Sequence, residues 1–337
     1  MSVKKRVLII RCGALGDLVY ATSVIDALKA EFGEETIIDF VSTTGTAGIF
    51  KADPRVNLVL PLKHKKVPIL FSSQKKAIIA HSKKEPYDIL INFEFGKQFK
   101  SLIHAIEAKQ KVGATLEEIT FSKELKHAVD ITKQMFKSLV SQEVFQQSFP
   151  RLIGTPQKQV KKQYNLPQKY LIISPSNSHQ KRNILNYRAW ENKSWRELIE
   201  KLNQEIPIVI IGNKGEDEFF TKLKPYPNGV VDLVGKTSLP NLIGVIKGAR
   251  GLVATDTGTA HIASAVNTEV FTLIGPTPAE VTGPYKTEHN KVHIISANLE
   301  CSPCYKTEIM KKCQDNLCMK KISVEQVYHT IQSAKLL

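Results

Sequence analysis

The chain has 337 residues, 42% of them hydrophobic, and a formal net charge of +15, enough length for two ordinary cores and enough charge to expect an anionic partner. No apolar run reaches the roughly 18 to 20 residues that cross a bilayer, and MSVKKRVLII runs straight into a strand pattern without a signal-peptide cleavage site, so a cytoplasmic protein is expected. Aromatic residues do not interleave with the basic runs and no RNA-binding or zinc-finger signature is present, which argues against nucleic acid.

From the amino terminus, RVLII, TIIDFVS, VNLVLPL and YDILINF read as strands, with VIDALKAEF and KSLIHAIEA as helices among them. Such alternation implies a parallel sheet covered by helices on both faces. The basic runs Lys63-His64-Lys65-Lys66, Lys75-Lys76 and Lys83-Lys84 fall close together in this half. They read either as a solvated surface or as an apron facing anionic lipid. The stretch FPRLIGTPQKQVKKQYNLPQ, rich in Pro, Gln and Lys, reads as an exposed linker. Beyond it the rhythm restarts with KYLIISPS, WRELIEKL, IPIVIIGN, GVVDLVG, LPNLIGVIKGA, GLVATD, AHIASAV and EVFTLIG. The expected fold is α/β, with two Rossmann-like domains at residues 1–155 and 156–320. A last helix from about Ser323 to Lys335, within residues 321–337, follows a Cys-rich loop and is expected to pack back on the first domain.

Open parallel sheets bind ligands beyond the carboxyl ends of their strands, and three turns there carry site-like chemistry. Gly13-Ala14-Leu15-Gly16-Asp17 lacks the glycine spacing of the dinucleotide fingerprint, which disfavours NAD and FAD. Gly235-Lys236-Thr237-Ser238 resembles the end of a Walker A loop, but Val230 stands where that motif needs glycine, and Ser238 or Thr237 simply caps a helix opening at Leu239-Pro240. Asp256-Thr257-Gly258-Thr259-Ala260-His261 places small and hydroxyl residues where a strand hands over to a helix. Backbone N–H groups and the helix dipole can meet an anion there, or Asp256 and Thr257 can serve as ordinary caps.

Seven ordered segments together resemble glycosyltransferase family 9, the ADP-heptose:lipopolysaccharide heptosyltransferases. They are IIRCGALGDLVYATSVIDALK, YDILINFEFGKQFKS, RAWENKSWRELIEKL, IIGNKGEDE, LVGKTSLPNLIGVIKGARGLVATDTGTAHIASA, LIGPTPAEVTGPY and CSPCYKTEIMKKCQDNLCM. The resemblance implies the GT-B architecture: two facing Rossmann-like domains with the active site in the cleft, the amino-terminal one holding the acceptor and the carboxyl-terminal one the nucleotide sugar. It implies an inverting, metal-independent transfer, with no catalytic cofactor, from ADP-L-glycero-D-manno-heptose to the inner core of lipopolysaccharide. The partners are then the nucleotide sugar and a phosphorylated, lipid-linked glycan, met by a monomer lying peripherally at the cytoplasmic face of an anionic inner membrane.

Residue by residue, the resemblance makes Asp17 the catalytic base, with Gly13 and Gly16 as first-loop substrate contacts. Asp256, Thr257, Gly258, Thr259 and His261 are matched to the donor diphosphate. Arg188 stands where the family has a diphosphate-directed lysine, and Lys181 or Arg182 are alternatives for that role. Glu216 is matched to the nucleotide ribose. On the acceptor side, Lys97 and Lys63 are the expected contacts, although Asn92-Phe93-Glu94-Phe95-Gly96 departs from the family's Asp-Leu-Gln-Gly pattern.

Cys301, Cys304, Cys313 and Cys318 form C-x2-C-x8-C-x4-C, and Cys12 stands apart. In a cytoplasmic chain this cluster admits a structural zinc, two local disulfides or free thiols.

Overall fold

The near-continuous apolar runs of the sequence become strands buried on both faces, as parallel sheets require. The structure is a computed structural model and describes residues 4–63, 72–116, 127–177 and 185–337. The chain divides into two units, Met1–Gly154 and Thr155–Leu337. In the first, β1 (Arg6–Ile10), β2 (Ile37–Thr43), β3 (Leu58–Leu62), β4 (Tyr87–Asn92) and β5 (Ala108–Gly113) form one sheet. Its order is β3-β2-β1-β4-β5, and every pair is parallel.

In the second unit, β6 (Leu171–Ser174), β7 (Ile208–Ile210), β8 (Val231–Asp232), β9 (Gly251–Thr255), β10 (Glu269–Leu273) and β11 (Val292–Ile295) form the other sheet. The order is β11-β10-β9-β6-β7-β8, again all parallel. In each unit the chain winds outward from its first strand and then returns to that strand's other side. The reversal leaves a crevice beyond the carboxyl ends of β1 and β4 in one unit and of β6 and β9 in the other. All three site-like turns follow strands of these sheets.

Two helices show how the second core closes. Helix Asn192–Asn203 buries Trp195, Leu198, Ile199 and Leu202, a spacing that lines one helical face. Trp190 meets Trp195 edge to face at 4.9 Å, and its indole N–H donates to the Ile322 carbonyl at 2.9 Å. That bond ties down the start of the terminal helix Val324–Ser333, whose buried Val324, Val327, Tyr328 and Ile331 enter the same core. The terminal helix therefore belongs to the second unit and packs in its core.

The expected linker also differs. Gln157–Gln163 is a helix packed on helix Leu239–Lys247, with Val160 its one buried residue. A Cβ on Gly244 would lie 3.1 Å from Val160 Cγ1, so the glycine lets the two helices approach. A helix with a single buried side chain leaves little apolar periodicity to read.

The basic runs are partly structural. Lys75 is buried and its Nζ donates to Ser101 Oγ at 2.9 Å. Lys83 and Lys84 are exposed in the last turn of helix Ser73–Lys84, where cations favour the helix dipole. His64, Lys65 and Lys66 lie outside the described residues. Among the described residues, no helix is long and apolar enough to cross a membrane.

Candidate functional site

In the first unit the turn after β1 is built around a carboxylate. Asp17 is the third residue of helix Leu15–Ala21, and its Oδ2 accepts the Ala14 N–H at 2.8 Å. Asp17 Oδ1 lies 3.0 Å from Arg11 Nη2, yet the side chain keeps 40% of its surface exposed. A Cβ at position 13 would fall 2.5 Å from Asp17 Oδ2, so Gly13 makes room for the carboxylate. Gly16 is the second residue of the same helix. Lys63 and Lys97 are both exposed. Lys63 directly follows β3, and its backbone N–H donates to Gln74 Oε1 at 2.6 Å. Lys97 opens a short 3-10 turn after β4; the two lysines stand on different turns of the first unit.

In the second unit a pocket of about 550 Å³, part of it open to solvent, lies beyond the strand ends. Ser174 and Ser176 line it from β6, and Ile211 to Lys214 from β7. Gly235, Thr237, Leu239 and Leu242 come from the turn and helix after β8, and Thr257 and Thr259 from the turn after β9. The hydroxyls of Ser174 and Thr259 meet at 2.9 Å, joining the two sides of the strand reversal. Helix Gly258–Ala265 starts at this wall, and its N-cap Thr257 makes no side-chain capping bond. Its first N–H groups have no partner inside the helix, and the positive end of the dipole faces the same way.

The remaining expected donor residues surround this wall. Asp256 is buried, and its carboxylate lies 3.3 Å from Arg188 Nη1, so it holds a cation instead of presenting a lone pair to an anion. Arg188 also stacks over the Tyr305 ring at 5.0 Å. Its Nε is buried without a hydrogen-bond partner among the described residues, a donor that an anion would satisfy. His261 is buried in helix Gly258–Ala265. Lys181 and Arg182, the other cations considered for the diphosphate, lie outside the described residues.

Glu216, matched to the nucleotide ribose, is engaged within the protein. It is buried and accepts from Ser176 Oγ at 2.7 Å, from Asn213 N–H at 3.0 Å and from Asn213 Nδ2 at 3.0 Å. Ser176 and Asn213 are among the residues that line the pocket. Glu216 fixes them there. Sequence reading missed Ser174, Ser176, Asn213 and Thr237. The signal for the first two was the Ser-Pro-Ser ending KYLIISPS at the first strand of a Rossmann unit.

The four clustered cysteines are free thiols, as is Cys12. Burial, and then the neighbouring Cys304, Cys301 and Cys313, push the Cys318 thiol up to about 11, so these sulfurs feel one another. Among the described residues, no group of three or more His, Cys, Asp or Glu side chains is arranged to hold a metal ion. The disulfides are absent, and the arrangement does not fit the tetrahedral zinc admitted by the spacing.

A family model described as glycosyltransferase family 9 (heptosyltransferase) matches residues 83–314. Lipopolysaccharide heptosyltransferase 3 of Escherichia coli is 24% identical over 287 residues, which cover 78% of this chain and 81% of that protein. Among solved structures, a glycosyl transferase family 9 protein from Veillonella parvula superposes with a TM-score of 0.78 at 17% identity, over 99% of this chain and 98% of that one. Escherichia coli heptosyltransferase WaaC with ADP gives a TM-score of 0.70 at 20% identity, over 97% and 99%. These chains share the fold, a pair of Rossmann-like units of the GT-B class.

Proposed function

Because the chain belongs to glycosyltransferase family 9, the heptosyltransferases, we propose that it transfers heptose from ADP-L-glycero-D-manno-heptose to the inner core of lipopolysaccharide, with inversion and without a metal ion. The observation that carries the donor half is the hydroxyl-lined pocket at the start of helix Gly258–Ala265, with Thr257 and Thr259 in its wall. Support for the sugar and acceptor comes from the relatives, named as lipopolysaccharide heptosyltransferases.

In the proposed step an acceptor hydroxyl oxygen attacks the anomeric carbon as the bond from that carbon to the diphosphate oxygen breaks. The hydroxyl proton passes to the Asp17 carboxylate, and ADP leaves with the bonding pair. Asp17 suits the base because it is anchored at both oxygens and still 40% exposed, so its remaining lone pairs are held in place before the hydroxyl arrives. The negative charge growing on the diphosphate is met by the helix N–H groups, the Thr257 and Thr259 hydroxyls and the unsatisfied Arg188 Nε. Asp256 keeps Arg188 in place, and Glu216 keeps Ser176 and Asn213 on the ribose side. Gly13 and Gly16 bring backbone close to the sugar. The basic composition favours work at the cytoplasmic face of an anionic membrane, with Lys63 and Lys97 toward the phosphorylated acceptor, and we propose a monomer.

A panel of nucleotide sugars scored by thermal stabilisation tests the donor assignment. ADP-heptose at 100 times its Kd should add about 2.7 kcal/mol. Stabilisation by a UDP or GDP sugar with none from ADP-heptose would overturn it.

A further inference from the structure

One guanidinium joins the carboxyl ends of β1 and β4. Arg11 Nη1 donates to the Phe93 carbonyl at 2.8 Å and lies 3.6 Å from Glu94 Oε1. Its Nη2 lies 3.0 Å from Asp17 Oδ1, and its Nε donates to the Asp17 carbonyl at 3.4 Å. Arg11 is itself only 17% exposed in its side chain. Glu94 is held in turn: its Oε1 accepts the Cys12 N–H at 2.6 Å. Asn92 Oδ1 accepts the Glu94 N–H at 3.0 Å, and Asn92 Nδ2 donates to the Glu94 carbonyl at 2.9 Å.

We propose that Arg11 is a positioning residue for the transfer, holding the Asp17 carboxylate in the orientation that receives the acceptor proton, with Glu94 and the Phe93 carbonyl as its anchors on the neighbouring strand. A carboxylate on the first turn of a helix, partly open to solvent, can turn about its side-chain torsions, and one bond to Ala14 N–H leaves the second oxygen undirected. The planar fork of arginine directs that oxygen and the backbone of Asp17 together. Lysine, with a single ammonium, can pair with Oδ1 but cannot reach all four acceptors at once. The inference rests on the reading of Asp17 as the base.

Steady-state kinetics with ADP-L-glycero-D-manno-heptose and heptose-free lipopolysaccharide core, on Arg11→Met, Arg11→Lys and Asp17→Asn, test it. Misplacing a reacting group by about 1 Å costs on the order of 100-fold in rate, so Arg11→Met should lose about that factor in kcat while the donor KM stays within about twofold. Arg11→Lys should recover part of the loss, and it carries the test if the methionine variant does not fold. A kcat unchanged in both variants, or a loss confined to acceptor KM, would overturn the positioning role. Asp17→Asn separates the two layers: if it retains kcat, the base assignment itself is wrong, whereas its inactivity beside a fully active Arg11→Met removes only the role of Arg11.

Discussion

The Asp17 carboxylate fills the space that a side chain at position 13 would need: a Cβ on Gly13 would stand 2.6 Å from Asp17 Cβ and 2.5 Å from its Oδ2. The clash reaches the Asp17 Cβ, so rotation of the carboxylate alone does not relieve it. Gly13→Ala should therefore move the proposed base and leave the second unit untouched. The expected result is a drop in kcat of roughly 100-fold, with the thermal stabilisation by ADP unchanged. A normal kcat in Gly13→Ala would show that the position of Asp17 does not limit the reaction.

Arg188 joins Asp256 at 3.3 Å and carries an unsatisfied Nε. Arg188→Met should weaken the binding of ADP, since it removes a cation from the diphosphate side and leaves the buried Asp256 without its partner, a loss of about 3–5 kcal/mol in comparable buried pairs. Because that loss can also fall on stability, Asp256→Asn with Arg188→Met offers the control: the double variant should regain melting temperature but not ADP affinity. Calorimetric titration of ADP separates the two. Unchanged ADP affinity in Arg188→Met would remove the residue from the donor site.

How much of this was legible in the sequence depends on burial. The buried strands β1, β2, β4, β6, β7, β9 and β10 read as apolar runs, because parallel strands covered on both faces need them. AKQKVG, which becomes β5, and VHII, which becomes β11, were missed. Both are edge strands, paired on one side only, and β5 carries three polar residues in a row. The short helix Gln157–Gln163 hid for a similar reason, with one buried residue to announce it. The terminal helix was legible from its amphipathic face, which says that it packs; the core it shares with Trp195 and Leu198 and the Trp190 bond to Ile322 say where.

At the site, the two glycine turns were readable because turn chemistry is local. The partners they recruit are not local. Asp17 meets Arg11 across its own turn, but Arg11 is set by Phe93 and Glu94, 82 or so residues on. Glu216 was matched to the nucleotide ribose, and the folded chain adds what the sequence did not show: three donors, from Asn213 in its own turn and from Ser176, bind it. Residue type announced a carboxylate, and tertiary structure decided what it holds.

Asp26 supplies a prediction about pH. Burial pushes its carboxyl up, but hydrogen bonding to Arg151 and pairing with Arg55 outweigh that and hold it below the ordinary carboxylate range. A carboxyl depressed on folding contributes stability that is present above the unfolded value, about 3.9 for aspartate, and is lost as pH falls through the folded value. The melting temperature should therefore hold from neutral pH down to about 5 and decline below it. Asp26→Asn should melt lower at neutral pH and show a shallower acid decline. Parallel curves for the two proteins would contradict the pairing.

The central claim is the transfer itself. Purified protein incubated with ADP-L-glycero-D-manno-heptose and a lipopolysaccharide core lacking heptose should yield ADP and a core heavier by one heptose in the mass spectrum, and Asp17→Asn should yield neither. Absence of the heptosylated product from the unaltered protein, or its formation by Asp17→Asn at the same rate, would contradict the account.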